Sequence, residues 1–237
     1  PHASSAGTIS QRLTIPVFFV LQPPDFPASA LMSMLQILGL ALGAAWTSGI
    51  NLYATVAALG LLEHYGLARL PGGLHVLDNW LIIGVALFLY VVEFVADKIP
   101  YVDSIWDAVH TFIRVPAGAL IALAATTNLH PVVQVLALLL GGGLALSTHG
   151  TKATVRAALN TSPEPITNWT ASVLEDAVAI GSAVLMVFNP VALLVIIALF
   201  LLILAWVLPK VVRRIRRMIA SARAFLSGRP IAAAERK

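Results

Sequence analysis

Two adjacent carboxylates, Glu175 and Asp176, stand about eight residues into an apolar run from Trp169 to Phe188. A carboxylate at that depth in a bilayer costs roughly 2.5–3.5 kcal/mol on insertion scales. A cation, a water-filled cavity or a bound proton must hold it there. One use of the pair is to bind protons or cations on a solute pathway. The other is a structural ion pair with Lys152 or Arg156 inside a helix bundle. Those two basic residues are four apart and share a helix face. They could meet an anionic solute or a lipid phosphate, or snorkel to the inner membrane interface.

A second stripe is Asp103, Asp107, His110 and Arg114, with Ile105, Trp106, Val109, Phe112 and Ile113 opposite. The spacing predicts an amphipathic helix of about three turns, lying along the inner interface or folded in as a re-entrant segment. Asp107 and His110 could hold a divalent metal or relay a proton. Two such residues on one face are a weak signal, so the metal question stays open. Glu93 and Asp97 are again four apart. Glu93 lies deep enough to need a partner, with Arg114 and Lys98 as candidates, whereas Asp97 and Lys98 are expected at the interface. Ser48, Asn51 and Tyr53 flank one polar break in an apolar run, and Thr148 and His149 sit at another. Their side chains could bond a solute or only satisfy backbone groups that the breaks set free.

The elements that carry these residues are membrane helices. The chain has 237 residues, 59% hydrophobic and 11% charged, against about 25% charged in a soluble domain. It has no cysteine, which excludes disulfides and thiolate chemistry. Apolar runs at 34–62, 80–96, 115–127, 132–160, 169–188 and 191–208 predict an all-α, polytopic protein of about six spans. Gln36 to Leu59 is echoed by Gln134 to Leu159, each copy apolar and broken midway. Broken helices in corresponding halves point to a transporter-type site. Lys210, Arg213, Arg214, Arg216 and Arg217 follow the last run and read as cytoplasmic. Six crossings then put both termini in the cytoplasm. Three crossings between the copies make them two inverted three-helix repeats, 32–128 and 131–208, of one domain spanning 32–208. Residues 1–31, rich in Pro and Ser, read as a disordered or extraneous leader, and 209–237 as a basic tail. The tail suits anionic lipid headgroups better than nucleic acid.

Several signatures are missing. No phosphate-binding glycine loop, paired-His metalloprotease motif or Gly-x-Ser-x-Gly elbow occurs. Gly141 to Gly143 lie inside an apolar run and suit close helix packing. The reading leans away from an enzyme and implies no cofactor.

Taken in order, Ser48-Gly-Ile-Asn51-Leu-Tyr-Ala-Thr55, Asp97-Lys-Ile-Pro100-Tyr-Val-Asp103, Trp106-Asp107, His110-Thr-Phe-Ile-Arg114, His149-Gly-Thr-Lys152, Asn160-Thr-Ser-Pro-Glu164-Pro165 and Glu175-Asp176 resemble a bacterial membrane family catalogued as domain of unknown function 4126. The resemblance covers about Met34 to Leu208 and implies a multispanning inner-membrane protein, without substrate or catalytic residues. Together these readings predict a transporter or channel-like protein for a small polar or ionic solute, coupled to protons or cations. Its partners would be the bilayer, anionic lipid, an unidentified solute or ion and, as a candidate assembly, further copies of itself. The alternative is a non-transporting scaffold or assembly factor, in which the same polar residues are internal pairs.

Overall fold

The computed structural model describes residues 28–99, 101–161 and 164–226. Its elements are α1 (Ala28–Ile50), α2 (Leu52–His64), a 3₁₀ helix (Gly72–Asp78), α3 (Trp80–Ala96), α4 (Val102–Ala125), α5 (Pro131–Leu159), α6 (Pro165–Phe188) and α7 (Pro190–Leu226). The starts follow ordinary capping rules. Asn79 caps α3 by accepting from the Leu81 amide at 2.8 Å, and Pro131 opens α5, where its missing N–H costs nothing. The predicted leader lies almost wholly outside the described residues, and α1 already begins at Ala28. The basic stretch continues α7 as the same helix, past Pro209.

Five helices hold stretches long and apolar enough to cross a membrane: α1, α4, α5, α6 and α7. A sixth is added if the 3₁₀ helix and α3, bent by 75°, count as one. The chain is therefore all-α and multi-pass. Outward-facing side chains are strongly apolar: Leu81, Phe88, Phe112, Leu139, Leu202 and Trp206 are all exposed. In a bilayer those faces meet lipid.

The first break behaves differently from the expected kinked crossing. Asn51 leaves helical geometry (φ −147°, ψ 103°) between α1 and α2. Midway along α1, Gly39 abuts Pro190, and four residues on Gly43 abuts Met186 and Leu193. This is the end of the bundle where α6 gives way to α7. Late in α2, Gly60 abuts the Leu77 carbonyl and Ile83, beside the start of α3. Gly72 in turn lies against the last residues of α4. Thus α1 descends from this loop end and α2 climbs back to it. The tip, Asn51, donates to Asp176, which lies twelve residues before Phe188, about 18 Å along α6 at 1.5 Å per residue. The segment is a hairpin with its tip about halfway along α6.

That geometry corrects three expectations. The repeat copies are not inverted: α1 and α5 both start at the loop end and pack in parallel. Gly49 meets Ala145 and Thr148, Thr148 donates to the Trp46 carbonyl at 2.9 Å, and Lys152 reaches the Ile50 carbonyl at 3.4 Å. The second copy is unbroken, since α5 runs helically through Ser147 to Gly150. Its hydroxyls bond their own helix: Ser147 to Gly143 and Thr151 to Ser147. Finally, the start of α1 and the end of α7 lie at opposite ends of the bundle, not on one side.

The parallel crossing depends on small residues. A Cβ on Gly49 would fall 2.5 Å from the Ala145 carbonyl oxygen, 3.0 Å from its Cα, and into the Thr148 hydroxyl. Gly118 and Gly141 bring α4 equally close. Overpacking typically costs about 1–3 kcal/mol. Gly49→Ala is therefore expected to lower the thermal unfolding midpoint in detergent. Gly84→Ala, which meets nothing within 4 Å, is expected to leave it level or slightly higher.

Candidate functional site

Between the hairpin tip and the opposite, tail end of the bundle, α3 to α6 enclose a column of charge. Six carboxylates contribute: Glu93, Asp97, Asp103, Asp107, Glu175 and Asp176. The cations enclosed with them are Arg114, Lys152 and Arg156. Of these nine only Glu175 retains appreciable exposure, 17% of its side chain.

At the tail end, Asn160 donates to Asp103 at 2.7 Å and to Ser104 at 2.9 Å, and Asn168 donates to Asn160 at 3.1 Å. One turn deeper, Arg156 forks onto Glu175 through Nε at 3.0 Å and a terminal nitrogen at 2.7 Å. Its other nitrogen donates to the carbonyls of Asp97 and Asn168. Lys152 stands among Asp97 at 2.9 Å, Glu175 at 3.4 Å, Glu93 at 3.5 Å and Asp107 at 3.9 Å. Deepest, Arg114 holds Glu93 at 2.6 Å and Asp107 at 3.3 Å. Arg114 lies twelve residues past Val102, about 18 Å into α4. Beside this column, Lys98 follows α3 with its ammonium over the Phe94 ring. It donates to Ser172, and partial burial pushes it below the usual lysine value.

The histidines are fixed by their donors. An arginine can only donate, so the 3.0 Å contact from Arg114 makes His149 Nδ1 an acceptor. The proton then sits on Nε2, which faces the Asp107 carbonyl at 3.0 Å and Thr111 at 2.8 Å. His110 has the opposite tautomer. Its Nδ1 donates to the Trp106 carbonyl at 2.8 Å, so Nε2 accepts from the Tyr53 hydroxyl at 3.1 Å.

The hydrogen bonding is incomplete. One oxygen each of Glu93, Asp97, Asp103, Asp107 and Asp176 is buried without a hydrogen-bond partner. Asp176 differs further. It receives Asn51 at 3.0 Å but makes no ion pair among the described residues.

Most residues singled out by spacing converge here: Asn51, Tyr53, Glu93, Asp103, Asp107, His110, Arg114, His149, Lys152, Arg156, Glu175 and Asp176. Two do not join the charges. Ser48 bonds the Ala45 carbonyl, and Thr148 ties α5 to α1. The amphipathic stretch is neither interfacial nor separate. It forms the first half of α4, with Asp103, Asp107, His110 and Arg114 buried and Ile105, Val109 and Phe112 exposed. Lipid outside and protein inside invert the orientation that water would impose. Asp97 was expected at the interface and is buried at 2% exposure. Asn160, Asn168 and Thr111 were not among the candidate site residues, because uncharged residues in apolar sequence carry little signal without their partners. Asp107 and His110 face different neighbours, and no metal-holding group of three or more acidic or His side chains exists among the described residues.

A family model described as Domain of unknown function (DUF4126) matches residues 38–210. The chain belongs to the DUF4126 family. The match spans the hairpin from Leu38 and every charge in the column. No curated protein and no solved structure matches the chain. DUF4126 membership therefore carries no substrate with it.

Proposed function

We propose that this DUF4126 protein transports a small polar or ionic solute across the membrane, coupled to protons or cations bound in the column. The observation that carries the reading is Asp176: nearly buried, about halfway along α6, bonded by Asn51 and lacking an ion-pair partner among the described residues. A buried unpaired charge is costly unless a proton or cation compensates it. Six carboxylates against Arg114, Lys152 and Arg156 extend the same argument to the whole column. The basic stretch of α7 supports a cytoplasmic tail end. Towards the loop end the path is closed by Leu59, Leu70, Leu74 and Ile83, all buried. The tail end is closed as well, by Asn160 and Asn168 over Asp103 and Arg156. The column therefore suits the occluded state of an alternating-access cycle, with Asn51 at the hairpin tip as the natural gate.

Reconstitution in vesicles with an internal pH dye tests this. Asp176→Asn keeps the shape and the Asn51 bond, so the protein should fold and lose proton-linked solute flux at least tenfold. Flux equal to wild type for protons and every candidate solute would end the coupling role. The closed pairs Arg156–Glu175 and Lys152–Asp97 favour a second reading, a scaffold whose charges only hold helices together. Exchanging Glu175 and Arg156 separates the two. Recovery of both folding and function makes the pair structural, whereas recovery of folding alone makes it functional.

A further inference from the structure

Glu175 is the point where the column meets the outside. A cleft of about 260 Å³ opens sideways between α5, α6 and α7, with Lys152 and Glu175 at its floor. Trp46 and Phe200 form its inner wall, their rings edge to face at 5.7 Å. Its rim is apolar and faces the bilayer: Leu174, Val178 and Val155 are 60%, 46% and 48% exposed. The opening exists because α5 and α6 touch little and α5 and α7 barely meet. A second groove of about 460 Å³ continues it along α5 and α7, sharing Thr151 and Val155.

The cleft is apolar, aromatic and floored by the accessible carboxylate of a column with excess negative charge. Lys152 is 4% exposed against 17% for Glu175, so an occupant meets the carboxylate first. The unpartnered oxygens of Glu93 and Asp97, both around Lys152, add to the pull on a positive charge. Aromatic faces attract the same charge once it is desolvated. We propose that the cleft binds a lipophilic cation, an amine or onium ion with an apolar body, admitted from the bilayer. Its charge lies against Glu175 and its body against Trp46 and Phe200. This names the solute class for the transport reading above and rests on it.

The test is equilibrium dialysis of tritiated tetraphenylphosphonium against the purified full chain in detergent, corrected with empty micelles. Saturable binding is expected in wild type, at least tenfold weaker in Glu175→Gln. Tetraphenylborate, the anion of the same shape, should not compete. Val155→Trp fills the cleft without touching a charge and should abolish binding, so the question is decided even if Glu175→Gln does not fold. Absent binding, equal competition by tetraphenylborate, unchanged binding in Val155→Trp, or full binding by a folded Glu175→Gln would each overturn the proposal. The two readings fail separately. If tetraphenylphosphonium does not bind but Asp176→Asn still loses proton-linked flux, only the lipophilic cation falls. If it binds and Asp176→Asn transports like wild type, the cleft stands and coupling falls.

Discussion

Arg114→Met is expected to be the most damaging single substitution in the column. The guanidinium is fully buried and anchors Glu93, Asp107 and His149 together. Methionine fills much of the volume, so the loss is electrostatic. Removing one partner of a buried ion pair costs about 3–5 kcal/mol, because the remaining charge stays desolvated and unpaired. Here two carboxylates lose their nearest cation and keep only Lys152, at 3.5 and 3.9 Å, and the protein should be recovered poorly or unfold far below wild type in a thermal scan. Arg114→Lys should rescue only in part: one ammonium cannot reproduce the fork that reaches Glu93 through one nitrogen and Asp107 and His149 through the other. Arg114→Met with Glu93→Gln restores the wild-type net charge and should regain part of the loss. Equal stability of Arg114→Met and wild type would show that Glu93 and Asp107 need no compensation, contrary to the argument made for Asp176.

The sequence carried the inventory of this site better than its geometry. Spacing of four placed Lys152 with Arg156, and Glu93 with Asp97, on common faces. Of the candidate pairings, Glu93 with Arg114 and Glu175 with both Lys152 and Arg156 form, whereas Glu93 with Lys98 and Asp176 with either cation form no ion pair among the described residues. Periodicity in Asp103 to Arg114 correctly separates a polar from an apolar face. It cannot tell which face meets protein, because in lipid the apolar face is the outer one. Direction was the larger loss. Hydropathy measures how much apolar chain is available, and a polar break marks where a helix stops. Neither says whether the next residue carries the chain onward or back. One residue, Asn51, decided that, and with it the sense of both repeat copies. The second break failed for a different reason: Ser147, Thr148 and Thr151 satisfy themselves on carbonyls of their own helix, so polar residues there leave α5 intact.

Asn51→Leu is expected to release the hairpin tip. The wild-type amide does two things at once. Its oxygen accepts the Ala54 amide at 2.9 Å and starts α2, while its nitrogen donates to Asp176 at 3.0 Å. Loss of an N-cap costs about 0.5–2 kcal/mol, and a hydrogen bond to a charged group contributes about 1.5–3 kcal/mol. The variant should thus lose roughly 2–4 kcal/mol if the costs combine with modest overlap. Thermal unfolding reads the total, and a double-mutant cycle divides it. Asp176→Asn retains an acceptor for Asn51, whereas Asp176→Leu does not. Asn51→Leu made on Asp176→Leu should therefore cost little more than the cap. Additive losses in that cycle would mean that the tip and α6 are energetically independent. The hairpin could then not serve as a gate that senses the state of Asp176, whatever the column binds.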